Sequence, residues 1–211
     1  MTIILTPTEH HLIEQLVDAG NVAVTRGLVH ATGGNLSARE PGSDRFLVTG
    51  AATQLDRLTP ADFTVVSLSG RRLGGADRPS SEWKLHQRTY VERSDAGAIV
   101  HVHPQYAVLL DALDLPIRHL TLDHAHYVAS IGQVPFFPNG SDELADGAAA
   151  QAHDHNCIVL SNHGCSTIGD DVLMALRRAL LLEESATMTF RALQLGDRTT
   201  TFGEGIRLMH A

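Results

Sequence analysis

The sequence predicts an α/β fold, a single-domain layered structure in which helices cover a central sheet. A capping-box sequence opens the chain, and short apolar runs rich in β-branched residues are separated by Gly, Pro and Asp turns. Segments with helical spacing fall between several of these runs. Because the 211 residues contain no Ser/Pro-rich linker, we expect one domain over residues 1–211.

The first predicted element is a helix that begins after Thr6 and runs to about Arg26. Thr6-Pro7-Thr8-Glu9 combines an N-cap threonine, a proline at the first helical position and a glutamate at the third. This arrangement satisfies backbone N–H groups that have no partner inside the helix. Leucine, isoleucine and valine side chains at helical spacing form one apolar face, and Gly27 is suited to end the helix.

Strands and helices follow along the rest of the chain. Pro79-Ser80-Ser81 predicts a helix N-terminus capped by either serine, with the helix running to about Arg93. The predicted strands are Arg45–Thr49, Phe63–Leu68, Ala98–His103, Val134–Phe137 and Cys157–Ser161. The other predicted helices are Gln105–Leu113, Asp142–His153 and Asp170–Leu195.

His101 and His103 are the most informative pair among the 13 histidines. They alternate along an apolar strand, so their imidazoles lie on the same face. Zinc sites that do chemistry commonly take three protein ligands and leave one position open, which requires a distant partner. His163 is the best candidate because it follows the strand Cys157–Ser161, at the end of a strand where sites are commonly built.

A rival metal pair is His124 and His126, near His119 and Tyr127. Asp123 and Ala125 give this pair no clear strand context, so it is the weaker hypothesis. Six further histidines have no matching partner, and we expect them to be solvated or capping residues: His10, His11, His30, His153, His155 and His210.

Composition excludes several classes of partner. The formal net charge of −8 argues against nucleic acid and against an anionic membrane surface, since either would require a basic patch. Met1–Leu5 has no basic region, and no apolar run is long enough to span a membrane. Two cysteines form no disulfide framework. We therefore expect a cytoplasmic protein.

Two segments could bind an anion. Thr32-Gly33-Gly34-Asn35-Leu36-Ser37 contains a glycine turn whose exposed N–H groups could surround a phosphate. Pro79-Ser80-Ser81-Glu82 offers two hydroxyls and a helix N-terminus. Glu82, expected in the first helical turn, could serve as a base beside a carbonyl held by a metal ion.

The motifs together resemble the class II aldolase/adducin head family. They are Thr32–Ser37, Thr49-Gly50, Pro79-Ser80-Ser81-Glu82-Trp83 with His86, His101-Val102-His103 and Asn162-His163-Gly164, in the family's order. Within the family, the chain resembles the L-fuculose-1-phosphate aldolases most. This resemblance implies a mainly antiparallel central sheet between helix layers, and a homotetramer with its sites at subunit interfaces.

The resemblance also implies roles for individual residues. Zn²⁺ would be held by His101, His103 and His163, with Mn²⁺ or Co²⁺ acceptable to the same ligands. Glu82 would be the acid/base residue, and Tyr127 would reach a neighbouring subunit's site and protonate the departing aldehyde oxygen. The phosphate of the sugar substrate would be bound by Gly34, Asn35, Thr49, Gly50, Ser80 and Ser81. The implied reaction is reversible cleavage of a ketose 1-phosphate to dihydroxyacetone phosphate and an aldehyde.

Other activities of the family remain as alternatives. Pentulose-phosphate 4-epimerases carry aspartate where Glu82 stands, and methylthioribulose-1-phosphate dehydratases keep the glutamate and three histidines. Adducin heads act structurally, and a non-phosphorylated sugar acid is another candidate substrate. Two departures from the aldolase pattern concern the aldehyde half of the substrate: Pro138-Asn139-Gly140-Ser141 replaces an aromatic residue, and the tail Arg207–Ala211 has no tyrosine.

Overall fold

An eight-stranded sheet forms the centre of the protein in a computed structural model, which describes residues 3–203. Its strands are β1 (Asn35–Ala38), β2 (Arg45–Thr49), β3 (Phe63–Ser67), β4 (Arg72–Gly75), β5 (Ala98–Val102), β6 (Ile131–Val134), β7 (Cys157–Leu160) and β8 (Gly164–Gly169). The strand order is β4-β3-β2-β1-β5-β8-β7-β6. Neighbouring strands pair antiparallel, except that β6 and β7 are parallel.

Helices cover both faces of this sheet. They are α1 (Pro7–Thr25), α2 (Trp83–Glu92), α3 (Gln105–Ala112), α4 (Asp142–Ala152) and α5 (Val172–Gln194), with a π-helical turn at His124–Val128. One apolar cluster joins α1 and α5 to the sheet, and a second joins α2 and α4. On β5, Val100 packs in the first cluster and Ile99 in the second, as the alternation of side chains along a strand requires.

The expected α/β class with a mainly antiparallel sheet is confirmed. The first helix begins as predicted: Glu9 N donates to Thr6 Oγ1 at 3.0 Å, and Thr6 N donates to Glu9 Oε2 at 2.8 Å.

No helix within residues 3–203 is both long and apolar enough to cross a bilayer.

One predicted strand is misplaced, and three strands are missed. The strand expected at Val134–Phe137 is β6, which ends at Val134 and is followed by a proline that lacks the N–H a sheet needs; Phe136 is exposed. Strands β1, β4 and β8 are missed because their polar and glycine residues resemble loops. Cys165 lies inside β8.

Glu9 also ties α1 to the sheet. Its carboxylate is buried and accepts two hydrogen bonds from Arg45 of β2, from Nε at 2.8 Å and from Nη2 at 2.7 Å. The same carboxylate therefore caps the helix and pairs with a guanidinium that is itself mostly covered.

Glu9→Ala is expected to lower the free energy of unfolding by about 2 kcal/mol, because it removes a cap and leaves Arg45 without its anion. Urea denaturation followed by circular dichroism measures this change. Glu14→Ala, on the exposed side of the same helix, should change the free energy by less than about 0.5 kcal/mol. Equal losses in the two variants would contradict the assigned role of Glu9.

Candidate active site

Four side chains converge at the end of β5. The ligand atoms of Glu82, His101, His103 and His163 all lie within 4.8 Å of one another. His101 Nε2 is 3.0 Å from Glu82 Oε2 and 3.1 Å from His103 Nε2, and His163 Nε2 is 3.3 Å from Glu82 Oε1. Among the histidine, cysteine and acidic side chains of residues 3–203, these four form a group that could hold a metal ion.

Strand pairing and a tight turn bring the histidines together. β5 carries His101 and leads directly to His103, while the turn between β7 and β8 carries His163. In that turn Asn162 adopts a left-handed conformation (φ 55°). A Cβ atom at Gly164 would lie 2.5 Å from the Val102 carbonyl oxygen, so only glycine allows the turn to pack this closely on β5.

Glu82 reaches the histidines from the start of α2. The helix begins at Trp83, so Glu82 is its N-cap residue. The expectation that Glu82 lies in the first helical turn is therefore wrong by one position. Its backbone N–H donates to Ser80 Oγ at 3.2 Å, and its own side chain makes no capping hydrogen bond. The carboxylate is therefore free to turn away from the helix and toward His101 and His163.

The hydrogen-bond pattern fits a bound cation. His101 Nδ1 lies 2.9 Å from the Cys165 carbonyl oxygen, which can only accept, so Nδ1 carries the proton of the neutral ring. In that neutral ring His101 Nε2 presents a lone pair toward Glu82 Oε2, which is also an acceptor, and either a metal cation or a proton between the two atoms satisfies both. Glu82 Oε1 is buried with no hydrogen-bond partner in the described chain, so it is free for a cation or a proton.

The protonation states also suit metal binding. Burial alone would raise the pKa of Glu82, but His101, His163 and Asn35 together hold the pKa well below its usual value. Burial, with the like charges of His101 and His163, lowers the pKa of His103 to about 4. Burial and His101 also lower the pKa of His163. Burial acts to lower the pKa of His101, but the Glu82 carboxylate and the Cys165 carbonyl raise it overall. His103 and His163 are therefore the imidazoles that favour their neutral, ligating form.

A cavity of about 130 Å³ opens beside this cluster, with Glu82 and His103 in its wall. Five of the residues expected to bind phosphate also line it: Gly34, Asn35, Gly50, Ser80 and Ser81. Thr49 does not line the cavity. Its side chain is fully buried, and its hydroxyl accepts a hydrogen bond from Leu36 N at 3.2 Å, so it supports β1 from behind.

Sequence reasoning missed two polar residues of the cavity wall, Thr53 and Asn139. Asn139 belongs to the segment that departs from the aldolase pattern. Gly140 beside it has a φ of 74°, and a Cβ atom there would lie 2.6 Å from the Ser81 carbonyl oxygen. This close approach signals that the segment packs on the start of α2.

Tyr127 does not line the cavity of its own chain. It lies in the π-helical turn, where its ring contacts His126 and the guanidinium of Arg177, whose carbon is 5.0 Å from the ring centre. The rival metal pair is not formed, because His124 is buried toward Glu184 and is not grouped with His126. The tail Arg207–Ala211 lies outside the described residues.

Cys157 and Cys165 are not nucleophiles in this arrangement. Both are buried, and burial raises the pKa of the Cys157 thiol to about 12 and that of Cys165 well above its usual value.

Known proteins are similar to this chain in sequence and in fold. The family described as Class II Aldolase and Adducin N-terminal domain matches residues 14–190. An L-fuculose phosphate aldolase of Methanococcus maripaludis is 33% identical over 172 residues, 82% of this chain and 92% of that protein. A 3-oxo-tetronate 4-phosphate decarboxylase of Haemophilus influenzae is 32% identical over 182 residues, 84% of this chain and 86% of that protein.

A solved structure of an aldolase is also similar to this chain. The crystal structure of L-fuculose-1-phosphate aldolase from Thermus thermophilus superposes with a TM-score of 0.79 at 30% identity, covering 90% of this chain and 99% of that one. The chain therefore belongs to the class II aldolase and adducin N-terminal domain family, which confirms the resemblance seen in its motifs. The aldolases among these relatives support the expected class of metal-dependent aldehyde-lyase.

His101→Ala, His103→Ala and His163→Ala are each expected to lose most of the divalent metal that the purified protein holds, about one ion per chain, because each removes one ligand nitrogen. Elemental analysis after dialysis measures the metal, and circular dichroism checks the fold. His153→Ala, which replaces an exposed histidine, should keep the full amount. Full occupancy in a variant would exclude that histidine as a ligand.

Proposed function

We propose that this chain is a zinc-dependent class II aldolase that reversibly cleaves a ketose 1-phosphate, of the L-fuculose 1-phosphate kind, to dihydroxyacetone phosphate and an aldehyde. The position of Glu82 carries the proposal. Its buried carboxylate lies against three imidazoles and also lines a cavity beside the glycine loop and the start of α2. Three imidazole ligands suit zinc, and Mn²⁺ and Co²⁺ are accepted by the same donors.

The phosphate of the substrate would lie between the glycine loop and the start of α2. The proposed binding residues are Gly34, Asn35, Gly50, Ser80 and Ser81. No lysine or arginine of the described chain lines this cavity, so hydroxyl and amide donors and the positive end of α2 would supply the attraction. Thr49 would help indirectly, because its carbonyl oxygen accepts from Ser80 N at 2.9 Å.

Glu82 would exchange a proton with carbon. In the synthetic direction it removes a proton from dihydroxyacetone phosphate, and the resulting carbanion attacks the aldehyde carbon; cleavage reverses these steps. A divalent cation bound by the three histidines would supply the Lewis acidity that stabilises the enediolate charge. Oε1 is the oxygen suited to carry the proton, because Asn35 donates to Oε2, whereas Oε1 has no hydrogen-bond partner in the described chain.

Tyr127 would serve the aldehyde oxygen from a neighbouring subunit. In synthesis its hydroxyl gives that oxygen a proton, and in cleavage the same proton returns. Its place outside its own chain's cavity, with its ring against Arg177, supports a role in another subunit's site. We therefore propose a homotetramer with sites between subunits, acting in the cytoplasm.

A second candidate is decarboxylation of a phosphorylated 3-oxo sugar acid, favoured by the similarity to the Haemophilus influenzae decarboxylase. Loss of carbon dioxide also leaves electron density beside a carbonyl, so the cavity and Glu82 would serve both reactions. The departing fragment needs no proton on an aldehyde oxygen, and Tyr127 would be dispensable. The effect of Tyr127→Phe therefore separates the two activities.

The purified protein is expected to release dihydroxyacetone phosphate from at least one member of a panel of ketose 1-phosphates, and a chelator should abolish the release. Glu82→Gln should lower kcat about 100-fold or more, because a positioned acid/base group is lost. Glu143→Gln, which replaces an exposed glutamate of α4, should leave kcat unchanged. A coupled assay for dihydroxyacetone phosphate measures both variants.

The same panel distinguishes the other family activities. Pentulose 5-phosphates, methylthioribulose 1-phosphate, 3-oxo acid phosphates and unphosphorylated sugar acids are tested beside the ketose 1-phosphates. An epimer, a dehydrated product that keeps every carbon, or carbon dioxide would replace the aldolase proposal with the corresponding activity. No turnover of any member of the panel, by a purified protein that also holds no metal, would favour an adducin-like structural role.

Tyr127→Phe is expected to lower kcat for the aldol reaction about 100-fold. If Tyr127 and Glu82 of one site come from different subunits, coexpressing Tyr127→Phe with Glu82→Gln should restore about one quarter of wild-type activity, since random mixing leaves that share of sites intact. Differently tagged subunits allow mixed oligomers to be isolated and assayed. Mixed oligomers without restored activity would place both residues in one chain's site.

A further inference from the structure

A chain of buried polar side chains runs from Glu82 into the protein interior. Asn35 Nδ2 donates to Glu82 Oε2 at 2.9 Å, and Asn35 Oδ1 contacts His86 Nε2. On the other side of its ring, His86 Nδ1 lies 2.6 Å from Ser37 Oγ, which lies 2.8 Å from the Tyr90 hydroxyl. All five side chains are buried, and His86 and Ser37 are completely so.

The ionised carboxylate sets the direction of every bond in this chain. Glu82 Oε2 can only accept, so the Asn35 amide must turn its nitrogen toward Glu82 and its oxygen toward His86. That oxygen also only accepts, so His86 Nε2 must carry a proton and donate. His86 Nδ1 then holds a lone pair in the neutral ring.

The far end of the chain completes this pattern. Ser37 must donate to His86 Nδ1, and the Tyr90 hydroxyl in turn donates to Ser37. Burial and the nearby His101 lower the pKa of His86 to about 3, which agrees with a neutral ring. Burial also raises the pKa of Tyr90, so its hydroxyl keeps the proton that it donates.

Asn35 is the member of this chain that lines the cavity beside Glu82. One N–H of its amide is engaged by Glu82, which leaves the second N–H for an oxygen of a bound ligand. If the amide were reversed, its oxygen would face the carboxylate oxygen at about hydrogen-bond distance, and the cavity would lose a donor. The function of Asn35 therefore depends on which way its amide is held.

We propose that His86 is a positioning residue that holds the Asn35 amide in its donating orientation, toward both Glu82 and the substrate. For its kinetic consequence the proposal rests on the proposed function. Ser37 and Tyr90 support it by fixing the tautomer of His86. A residue that merely filled space between α2 and β1 would have no preferred ring nitrogen for its proton.

The first test is ¹⁵N NMR of the metal-loaded wild-type protein, labelled at histidine, with His86→Gln used to assign the resonances of His86. We expect a neutral ring that carries its proton on Nε2, with an N–H protected from exchange with water. A ring protonated on Nδ1 alone, or on both nitrogens, would overturn the proposal. This measurement needs no substrate, so it stands even if the aldolase proposal fails.

The second test compares His86→Gln with His86→Met. Glutamine places an N–H donor close to the position of His86 Nε2, whereas methionine fills similar space without a donor. We expect His86→Gln to keep kcat within about threefold of wild type, and His86→Met to lose about 10- to 100-fold in kcat or in metal affinity, the usual effect of removing a residue that orients a metal-site side chain.

Thr89→Val is the matched control. Thr89 is buried on the same helix, and its hydroxyl has no hydrogen-bond partner in the described chain, so this substitution should change neither kcat nor the metal content. Thermal denaturation of all three variants separates loss of fold from loss of function. Equal activity and equal metal affinity in folded His86→Gln and His86→Met would overturn the proposal.

Discussion

The antiparallel ladder of β1, β5 and β8 is the constraint on which the rest of the site depends. In its register Asn35 lies opposite His101, and His101 lies opposite Ser166. If the register of β5 slipped by one residue, His101 would point to the other face of the sheet. The apolar side chains of β5 would then also face the wrong helix layers. The alternation of Ile99 and Val100 between the two apolar clusters therefore also determines where His101 points.

Buried charge is the second constraint. A carboxylate removed from water is costly unless it is paired and hydrogen-bonded, and Glu82 is 3% exposed. Asn35 and His101 engage one of its oxygens, and the other oxygen is the atom left for a cation or a proton. The same burial that disfavours charged imidazoles at His103 and His163 makes them better ligands, so stability and metal binding favour the same protonation states.

The sequence predicts residues whose meaning is local and misses those that depend on distant contacts. The capping box of Thr6 and Glu9 and the spacing of His101 and His103 follow from the periods of a helix and a strand. The strand that begins at Asn35 resembles a loop in the sequence, because the hydrogen-bond partners of its polar side chains lie far along the chain. The burial of Thr49 behind the cavity, and the link from Asn35 to His86, likewise arise only from tertiary pairing.

The positions of the proposed catalytic groups also bear on substrate choice. Glu82, the three histidines and the glycine loop are held by the sheet and by the start of α2, in fixed relative positions that the proposed aldol cleavage and the alternative decarboxylation would both use. The group proposed for the departing fragment lies elsewhere, because Tyr127 is on a π-helical turn and does not line the cavity of its own chain. An aldolase and a decarboxylase are nearly equally identical to this chain, so overall similarity does not determine which bond is broken, and a group outside the shared cluster, such as Tyr127, is where the two activities would differ.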